Sequence, residues 1–304
     1  MPGWKAVTET GTRARLEFPA PPVRHQQLIV TIFGLYSRGP DAAMPVSALV
    51  ALLGDLGYDA PGVRSSVSRL KAKDVLKSVR TDKVAKYALS ESVLEVFKEG
   101  DARIFSPTRS VAGDAWVLAI FSVPEAVRNK RHQLRSELSW LGFGSVASGV
   151  WIAPAGVLGE TRRRLEKRGL GQFVEFFRGD YLAEGDMRTK VAQWWDLAAL
   201  DEQLGEFLDF YHDAAEQWLG LLGDDPDQAL ARSTPELRAD AFRYYIPMLT
   251  AWRRFPYRDP SLPLEFLPDG WKGPQARAAF STVHRLISRL AAAHAHSIID
   301  AAGR

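Results

Sequence analysis

The chain has 304 residues, of which 46% are apolar and 25% charged, and its formal net charge is +3 at pH 7. These proportions are those of an ordinary globular protein, and the length predicts two or three domains. The absence of cysteine excludes disulfides, thiolate catalysis and zinc sites with a cysteine ligand, and it is typical of a reducing compartment. Because no apolar run approaches the ~20 residues that cross a bilayer, we expect a cytoplasmic protein without a membrane partner.

The N-terminal 100 residues predict a flexible arm followed by helices. Residues 1–22 are polar and proline-rich and lack the apolar core of a signal peptide. Apolar residues then recur at helical spacing over residues 24–36 and 45–56. The predicted inward residues are Leu28, Ile29, Ile32, Phe33 and Tyr36 in the first helix, and Val46, Leu49, Val50 and Leu53 in the second. A turn at residues 58–61 leads into a third helix, with Pro61 suited to its first position.

The third predicted helix, residues 62–73, and the residues after it form a segment whose net positive charge exceeds that of the whole chain. Val63, Val67 and Leu70 form a narrow apolar stripe, and the opposite face is short or cationic. Two strands, at 75–80 and 84–89, flank a polar turn at 81–83. From residue 64 to residue 86 there are eight Lys or Arg and two Asp, a net charge of +6. A basic helix followed by a basic hairpin predicts a winged helix-turn-helix that binds double-stranded DNA, although a merely solvated basic helix and hairpin would have the same composition.

The predicted DNA contacts divide by side-chain length. Short side chains let a helix approach base edges, while long cations reach phosphates or guanine. We expect Ser65, Ser68 and Arg69 to contact base edges. The expected backbone contacts are Arg64, Lys71 and Lys73 on the helix and Arg80, Lys83 and Lys86 on the wing.

The rest of the chain predicts an α+β multidomain protein. Residues 90–100 form a short helix with Ser90 as its N-cap, and residues 101–114 form a linker. Residues 115–189 follow the order βαββαβ, which is that of a ferredoxin-like domain. From residue 190 to residue 304 the pattern is helical, interrupted by a proline-rich stretch at 256–274. The predicted domains are therefore an arm (1–22), a winged helix-turn-helix domain (23–100), a ferredoxin-like domain (115–189) and a helical C-terminal domain (190–304).

Four segments together resemble one protein family. They are RHQQLIVTIFGLYSR, GVRSSVSRLKAKDVL, SVPEAVRNKRHQLRSELSWLGFGSVASGVWIAP and AWRRFPYRDPSLPLEFLPDGWKG. The sequence is similar to the PaaX-like transcriptional regulators, the phenylacetic-acid-degradation repressor family, from about residue 24 to residue 290. The resemblance implies an N-terminal winged helix, a central domain with the fold of the Cas2 nuclease and a helical C-terminal domain. It also implies a homodimeric repressor of a catabolic operon that an aryl-CoA thioester, typically phenylacetyl-CoA, releases from its operator.

An acyl-CoA effector would need cations for its phosphates and an apolar slot for its aryl group. Two stretches offer the cations, and either can instead be a solvated helix face or a loop-fixing cluster. The first is Arg128, Lys130, Arg131 and Arg135 on the central helix. We expect the second stretch to bind the effector, with Arg253, Arg254, Arg258 and Trp271 as its residues.

The sequence predicts no catalytic residue, no metal and no cofactor, and hence no enzyme. A Cas2-like nuclease needs a carboxylate on the first strand of the domain to hold Mg²⁺. That strand, residues 116–121, has no acid; Asp114 precedes it and Glu125 follows. The six histidines are not at metal-ligand spacing. A protein–protein adaptor and a residual metal-dependent nuclease remain the alternatives to a DNA-binding regulator.

Overall fold

The computed structural model describes residues 23–39, 42–79, 85–182 and 185–303. The predicted arm at 1–22 and the predicted turn at 81–83 lie outside these residues. The chain divides into two compact units. The first comprises the described residues within 23–99, 208–251 and 278–303, and the second comprises those within 100–207 and 252–277.

The N-terminal part of the first unit contains three helices and a three-stranded sheet. The helices are α1 (His25–Tyr36), α2 (Val46–Asp55) and α3 (Ala60–Ala72). The strands β1 (Met44–Pro45), β2 (Leu76–Val79) and β3 (Lys86–Leu89) pair antiparallel in the order β1-β3-β2. The three helices and two of the strands confirm the predicted elements. The sequence did not predict β1, because two residues are too few to show an alternating pattern.

The buried faces of the first two helices differ in how well they were predicted. In α1 the predicted Leu28, Ile29, Ile32 and Phe33 are all buried, whereas Tyr36 is only partly buried. The prediction for α2 was partly wrong. Its buried residues are Ala48, Leu49, Leu52 and Leu53, whereas Val46 and Val50 are only partly buried. Leu49 and Leu53 were therefore predicted correctly, whereas Ala48 and Leu52 are buried in place of Val46 and Val50.

The helix after the sheet, α4 (Glu91–Phe105), runs five residues beyond its predicted end at Gly100. The residues 101–105 that were assigned to a linker are helical. Gly100 permits a close approach instead of ending the helix, because a Cβ there would lie 2.0 Å from the Tyr257 hydroxyl oxygen. The helix was therefore predicted to end five residues too early.

The second unit contains the predicted βαββαβ order. Its elements are β4 (Trp116–Phe121), α5 (Arg128–Trp140), β5 (Gly144–Ala147), β6 (Val150–Pro154), α6 (Leu158–Lys167) and β7 (Val174–Gly179). The four strands form one antiparallel sheet in the order β5-β6-β4-β7. Val117 and Ala119 of the central strand β4 are buried with Leu134, Leu138 and Leu165, so the core lies between one sheet face and the two helices.

The remainder of the described chain is helical, as predicted. Its helices are α7 (Met187–Trp194), α8 (Leu197–Tyr211), α9 (Ala214–Leu222), α10 (Pro226–Arg232), α11 (Pro235–Trp252) and α12 (Gly273–Gly303). The proline-rich stretch between α11 and α12 carries a 3-10 turn at Leu264–Phe266. Of the helices in the described ranges, none combines the length and the apolarity that a membrane span requires.

Parts of these helices pack within the first unit with α1 and α2. The hydroxyls of Thr31 on α1 and Thr250 on α11 are hydrogen-bonded at 2.8 Å in a buried position. His294 of α12 lies 2.7 Å from a carboxylate oxygen of Asp55 in α2. Polar contacts thus join segments that are more than 200 residues apart in sequence.

Gly100→Ala is expected to lower the free energy of unfolding by about 2 kcal/mol, because the new methyl group would overlap the Tyr257 hydroxyl. Urea unfolding measures the change. Gly220→Ala in α9 is the matched control, since no atom lies within 4 Å of its added Cβ and alanine is the better helix former. The loss at Gly100 should shrink in a Tyr257→Phe background, and an equal loss in both backgrounds would refute the steric cause.

His284 should make the first unit lose stability as the pH falls below about 6.5. Burial lowers the pKa of this imidazole, which lies 2.7 Å from the Tyr245 hydroxyl oxygen. The unfolded chain therefore binds a proton at His284 more readily than the folded chain does, so its contribution is present above the unfolded pKa and lost as the pH falls. Urea midpoints from pH 7 to 5 should fall less steeply in His284→Asn than in the parent, whereas the exposed control His212→Asn should follow the parent.

Candidate functional site

Helix α3 is placed by its apolar stripe. The predicted inward residues Val63, Val67 and Leu70 are buried, together with Ser66. At its start, the Asp59 carboxylate accepts a hydrogen bond of 3.1 Å from the Gly62 amide, and Pro61 lies in the first turn, one residue later than predicted. The apolar face is consequently turned inward and the opposite face outward.

The end of α3 is closed by a left-handed residue, Asp74, with φ of 53°. The amide of Asp74 donates to the Lys71 carbonyl at 3.0 Å, and the amide of Val75 donates to the Leu70 carbonyl at 2.9 Å. This pair of bonds is the Schellman arrangement, in which one left-handed residue ends a helix and satisfies its last carbonyls. Only residues 73–75 then separate the basic helix from β2, the first strand of the hairpin.

The outward face of α3, together with its C-cap residue Lys73, carries every residue of the predicted helix that the sequence proposed for DNA contact. All six side chains are exposed. They are Arg64, Ser65, Ser68, Arg69, Lys71 and Lys73. On the hairpin, Lys86 of β3 is partly buried, and the predicted Arg80 and Lys83 lie outside the described residues.

A hydrogen bond orders one part of this surface. An Nη2 hydrogen of Arg69 is donated to the Ser65 hydroxyl oxygen at 2.9 Å, one helical turn away. A guanidinium has five N–H donors, so this bond restrains the side chain and leaves donors for a base edge or a phosphate. The exposed face therefore combines a restrained arginine with exposed hydroxyls and lysines.

In the second unit, α5 and α6 are tied together by a buried ion pair. The Arg164 guanidinium donates to the Glu137 carboxylate at 2.5 Å, and both side chains are about one-tenth exposed. Arg168 reaches the other oxygen of Glu137 at 3.0 Å. The Arg164 guanidinium also lies 3.5 Å from the centre of the Trp140 ring. This arrangement fixes the C-terminal end of α5.

A cleft of about 680 Å³ lies beside that end of α5. One wall is the exposed side of the helix and the other comes from the chain just after α11. The lining residues are His132, Arg135, Ser136, Ser139, Trp140, Tyr257 and Arg258. Arg135 belongs to the first stretch that the sequence considered for an effector, and Arg258 to the second, so the cleft combines one cation from each.

The other proposed effector residues, Arg253, Arg254 and Trp271, do not line the cleft. Arg253 is partly buried, and burial lowers the pKa of its guanidinium to about 10. Arg254 is exposed, with its guanidinium 5.2 Å from the centre of the Phe255 ring. Trp271 is buried. Only Arg258 of this group contributes to the cleft.

Five cleft residues were not among the predicted site residues, and four of those lie on α5 with Arg135. The spacing of residues 132, 135, 136, 139 and 140 is that of one helical face, so the pattern of α5 contains a signal for them. Tyr257 has no such signal, because its position beside α5 depends on the tertiary fold.

The two carboxylates closest in sequence to β4 are engaged in local contacts. Asp114 accepts a hydrogen bond of 3.0 Å from the Val111 amide. Glu125 lies 3.8 Å from the Arg128 guanidinium and 3.5 Å from that of Arg131. Within the described residues, no group of three or more His, Asp or Glu is arranged to hold a metal ion.

Comparison with known proteins gives family matches along most of the chain. The model described as PaaX-like protein matches residues 24–93, that of the PaaX protein central Cas2-like domain matches residues 110–191, and that of the PaaX-like protein C-terminal domain matches residues 195–297. The chain is 25% identical over 279 residues to the transcriptional repressor PaaX of Escherichia coli (strain K12), covering 90% of this chain and 84% of that protein. A solved structure of an uncharacterized protein from Mycobacterium tuberculosis has 22% identity and a TM-score of 0.49, over 90% of this chain and 97% of that one.

Glu137→Gln is expected to lower the free energy of unfolding by about 3 kcal/mol, because it removes the carboxylate charge that pairs with the largely buried Arg164 guanidinium. Glu166→Gln on the exposed side of α6 is the matched control and should change stability by less than about 0.5 kcal/mol. Urea unfolding of both variants measures the difference, and similar values for the two would show that the buried pair contributes no more than a surface carboxylate.

Proposed function

We propose that this chain, which belongs to the PaaX-like protein family, is a DNA-binding transcriptional repressor. The observation that carries the proposal is the outward face of α3, where hydroxyls and cations are exposed while the opposite stripe is buried. The similarity to a transcriptional repressor over 90% of the chain supports it, and favours a regulator over an adaptor or a nuclease.

The proposed DNA-binding domain is a winged helix-turn-helix formed by α1, α2, α3 and the hairpin β2–β3. In this arrangement α3 is the recognition helix and enters the major groove. The proposed domain limits are those predicted from sequence, 23–100, 115–189 and 190–304, and they differ from the two compact units, which divide residues 190–304 between them. The family matches at 24–93, 110–191 and 195–297 support these limits.

The roles proposed for the α3 side chains follow from their chemistry. Ser65, Ser68 and Arg69 contact base edges, since two are short and the third carries the planar donors that match guanine. Phosphate contacts are assigned to Arg64, Lys71 and Lys73, and to Arg80, Lys83 and Lys86 of the wing.

We propose that the protein represses as a dimer and that an effector releases it from DNA. Two copies of α3 would occupy half-sites whose centres lie one helical turn of DNA, or a small multiple, apart. An acyl-CoA such as phenylacetyl-CoA would release the operator of a catabolic operon. The protein would have one state that binds DNA and another that does not. The effector releases DNA only if its affinity for the second state is higher than its affinity for the first.

Fluorescence anisotropy on the DNA upstream of the gene, with phenylacetyl-CoA and free CoA as competitors, tests the function. Tight, salt-sensitive binding that only the aryl thioester reverses supports both parts of the proposal. Binding that neither ligand changes supports the repressor and refutes this effector. Binding that is equally weak on random DNA refutes specific operator recognition on that fragment.

Arg69→Ala and Lys71→Ala should separate base readout from phosphate contact. Arg69→Ala is expected to cost ~1–3 kcal/mol on operator DNA and less on random DNA, because it removes a base-edge contact. Lys71→Ala should weaken binding to both and make the dependence of log K on log salt shallower by about one unit. Lys98→Ala, an exposed lysine of α4, is the control and should change neither. An equal loss on both DNAs for Arg69→Ala would instead make that residue a phosphate contact.

A further inference from the structure

We propose that the cleft beside α5 is a binding site for a small organic phosphate, held by Arg135 and Arg258 against a wall formed by Trp140 and Tyr257. The proposal deepens the proposed function by giving an effector a site. Only the role of the ligand as an effector rests on the proposed function, because binding to the cleft can be measured without DNA.

The charge of the cleft favours an anion. Two arginines and a histidine line it, and the lining contains no carboxylate. Arg258 is hydrogen-bonded to the neutral amide oxygen of Gln203, and neither arginine forms an ion pair with a carboxylate in the part of the chain that the structure describes. Their positive charge is therefore not neutralised locally. Guanidinium groups match phosphate oxygens with paired N–H donors, and the hydroxyls of Ser136 and Ser139 add neutral donors.

Other arginines of the same unit have carboxylate partners. Arg103 pairs with Glu160 at 2.9 Å and Arg109 with Asp259 at 2.8 Å, both in partly buried positions. These carboxylates act as the local counter-charges that the cleft lacks. A phosphate in the cleft would take the place that a carboxylate occupies beside those arginines.

The aromatic wall favours a ligand with a ring or an apolar part. The ring centres of Trp140 and Tyr257 are 4.7 Å apart and the planes are inclined by 30°. Trp140 is held from the protein side by the Arg164 guanidinium, which is itself bonded to Glu137. Trp140 is thus packed against both Arg164 and Tyr257 before any ligand binds, so the wall offers apolar contact at the exposed parts of the two rings.

The size of the site admits a small molecule. The depression is open to solvent, and its volume of about 680 Å³ is enough for a molecule of nucleotide size. Proteins that follow a DNA backbone use an extended basic surface instead of a cleft with aromatic rings in its wall. Phosphate and ring together describe a nucleotide-like ligand.

Isothermal titration calorimetry of the full chain tests the site, with ADP and inorganic pyrophosphate as probes. ADP should bind, and Arg135→Gln and Arg258→Gln should each weaken its affinity about tenfold or more. Arg128→Gln is the matched control. It removes the same charge from an exposed arginine of the same helix that does not line the cleft, and it should change the affinity less than twofold. Pyrophosphate should bind at least tenfold more weakly than ADP, since it cannot use the aromatic wall.

Three outcomes would overturn the proposal. One is the absence of ADP binding at millimolar concentration. Another is an equal loss in Arg128→Gln, which would indicate a diffuse electrostatic effect. The third is a loss of DNA affinity in Arg135→Gln and Arg258→Gln without any ADP binding, which would assign the cleft to the DNA backbone. ADP binding by a chain that fails to bind operator DNA would instead support the cleft and refute the repressor, so the two proposals fail separately.

Discussion

Each candidate site lies on a helix whose apolar face is buried, and this burial determines which side chains are exposed. In α3 the buried Val63, Val67 and Leu70 leave the intervening residues on the outer face, and in α5 the buried Leu134 and Leu138 do the same. Because side chains recur every 3.6 residues, an inward stripe at these spacings sets the orientation of every other position on the helix. The functional surfaces thus depend on packing residues that would contact no ligand.

The electrostatics of the two surfaces differ in kind. On α3 the cations are spread along an exposed face, where solvent screens them and each contributes a modest, salt-dependent attraction to phosphate. In the cleft two arginines share a lining that has aromatic rings and no carboxylate, so the positive charge is concentrated at one place. A diffuse surface suits a long polyanion, and a concentrated one suits a small ligand.

Much of the fold could be predicted from the sequence, and the failures have physical causes. The stripe of α3, the strands of its hairpin and the βαββαβ order were all recognisable, because each rests on a local period that the residues display directly. The end of α4 was predicted five residues too early, at Gly100, which in the structure lies inside the helix and makes a close contact. The lack of a side chain at Gly100 leaves room for the Tyr257 hydroxyl. No local sequence pattern shows a partner so distant in sequence.

The two candidate sites also differ in how far they could be predicted from local sequence patterns. The α3 surface belongs to a single helix, so its residues could be named from the sequence, and all six helix positions are exposed. The cleft needs α5 and the residues after α11 at once, so the sequence supplied its cations in two separate stretches but could not join them.

A ligand in the cleft would lie in the second unit, whereas α3 belongs to the first. Its effect on DNA binding cannot therefore come from competition for the same side chains. It requires two states of the chain that differ in affinity for both ligands, and the coupling must then be reciprocal. Operator DNA would weaken binding in the cleft by the same factor as the ligand weakens binding to DNA. A near-complete switch needs a difference in affinity between the states of about 10⁴-fold. Discrimination of that size exceeds what a single arginine contact supplies. It is more easily reached if both arginines and the aromatic wall are in place in only one of the two states.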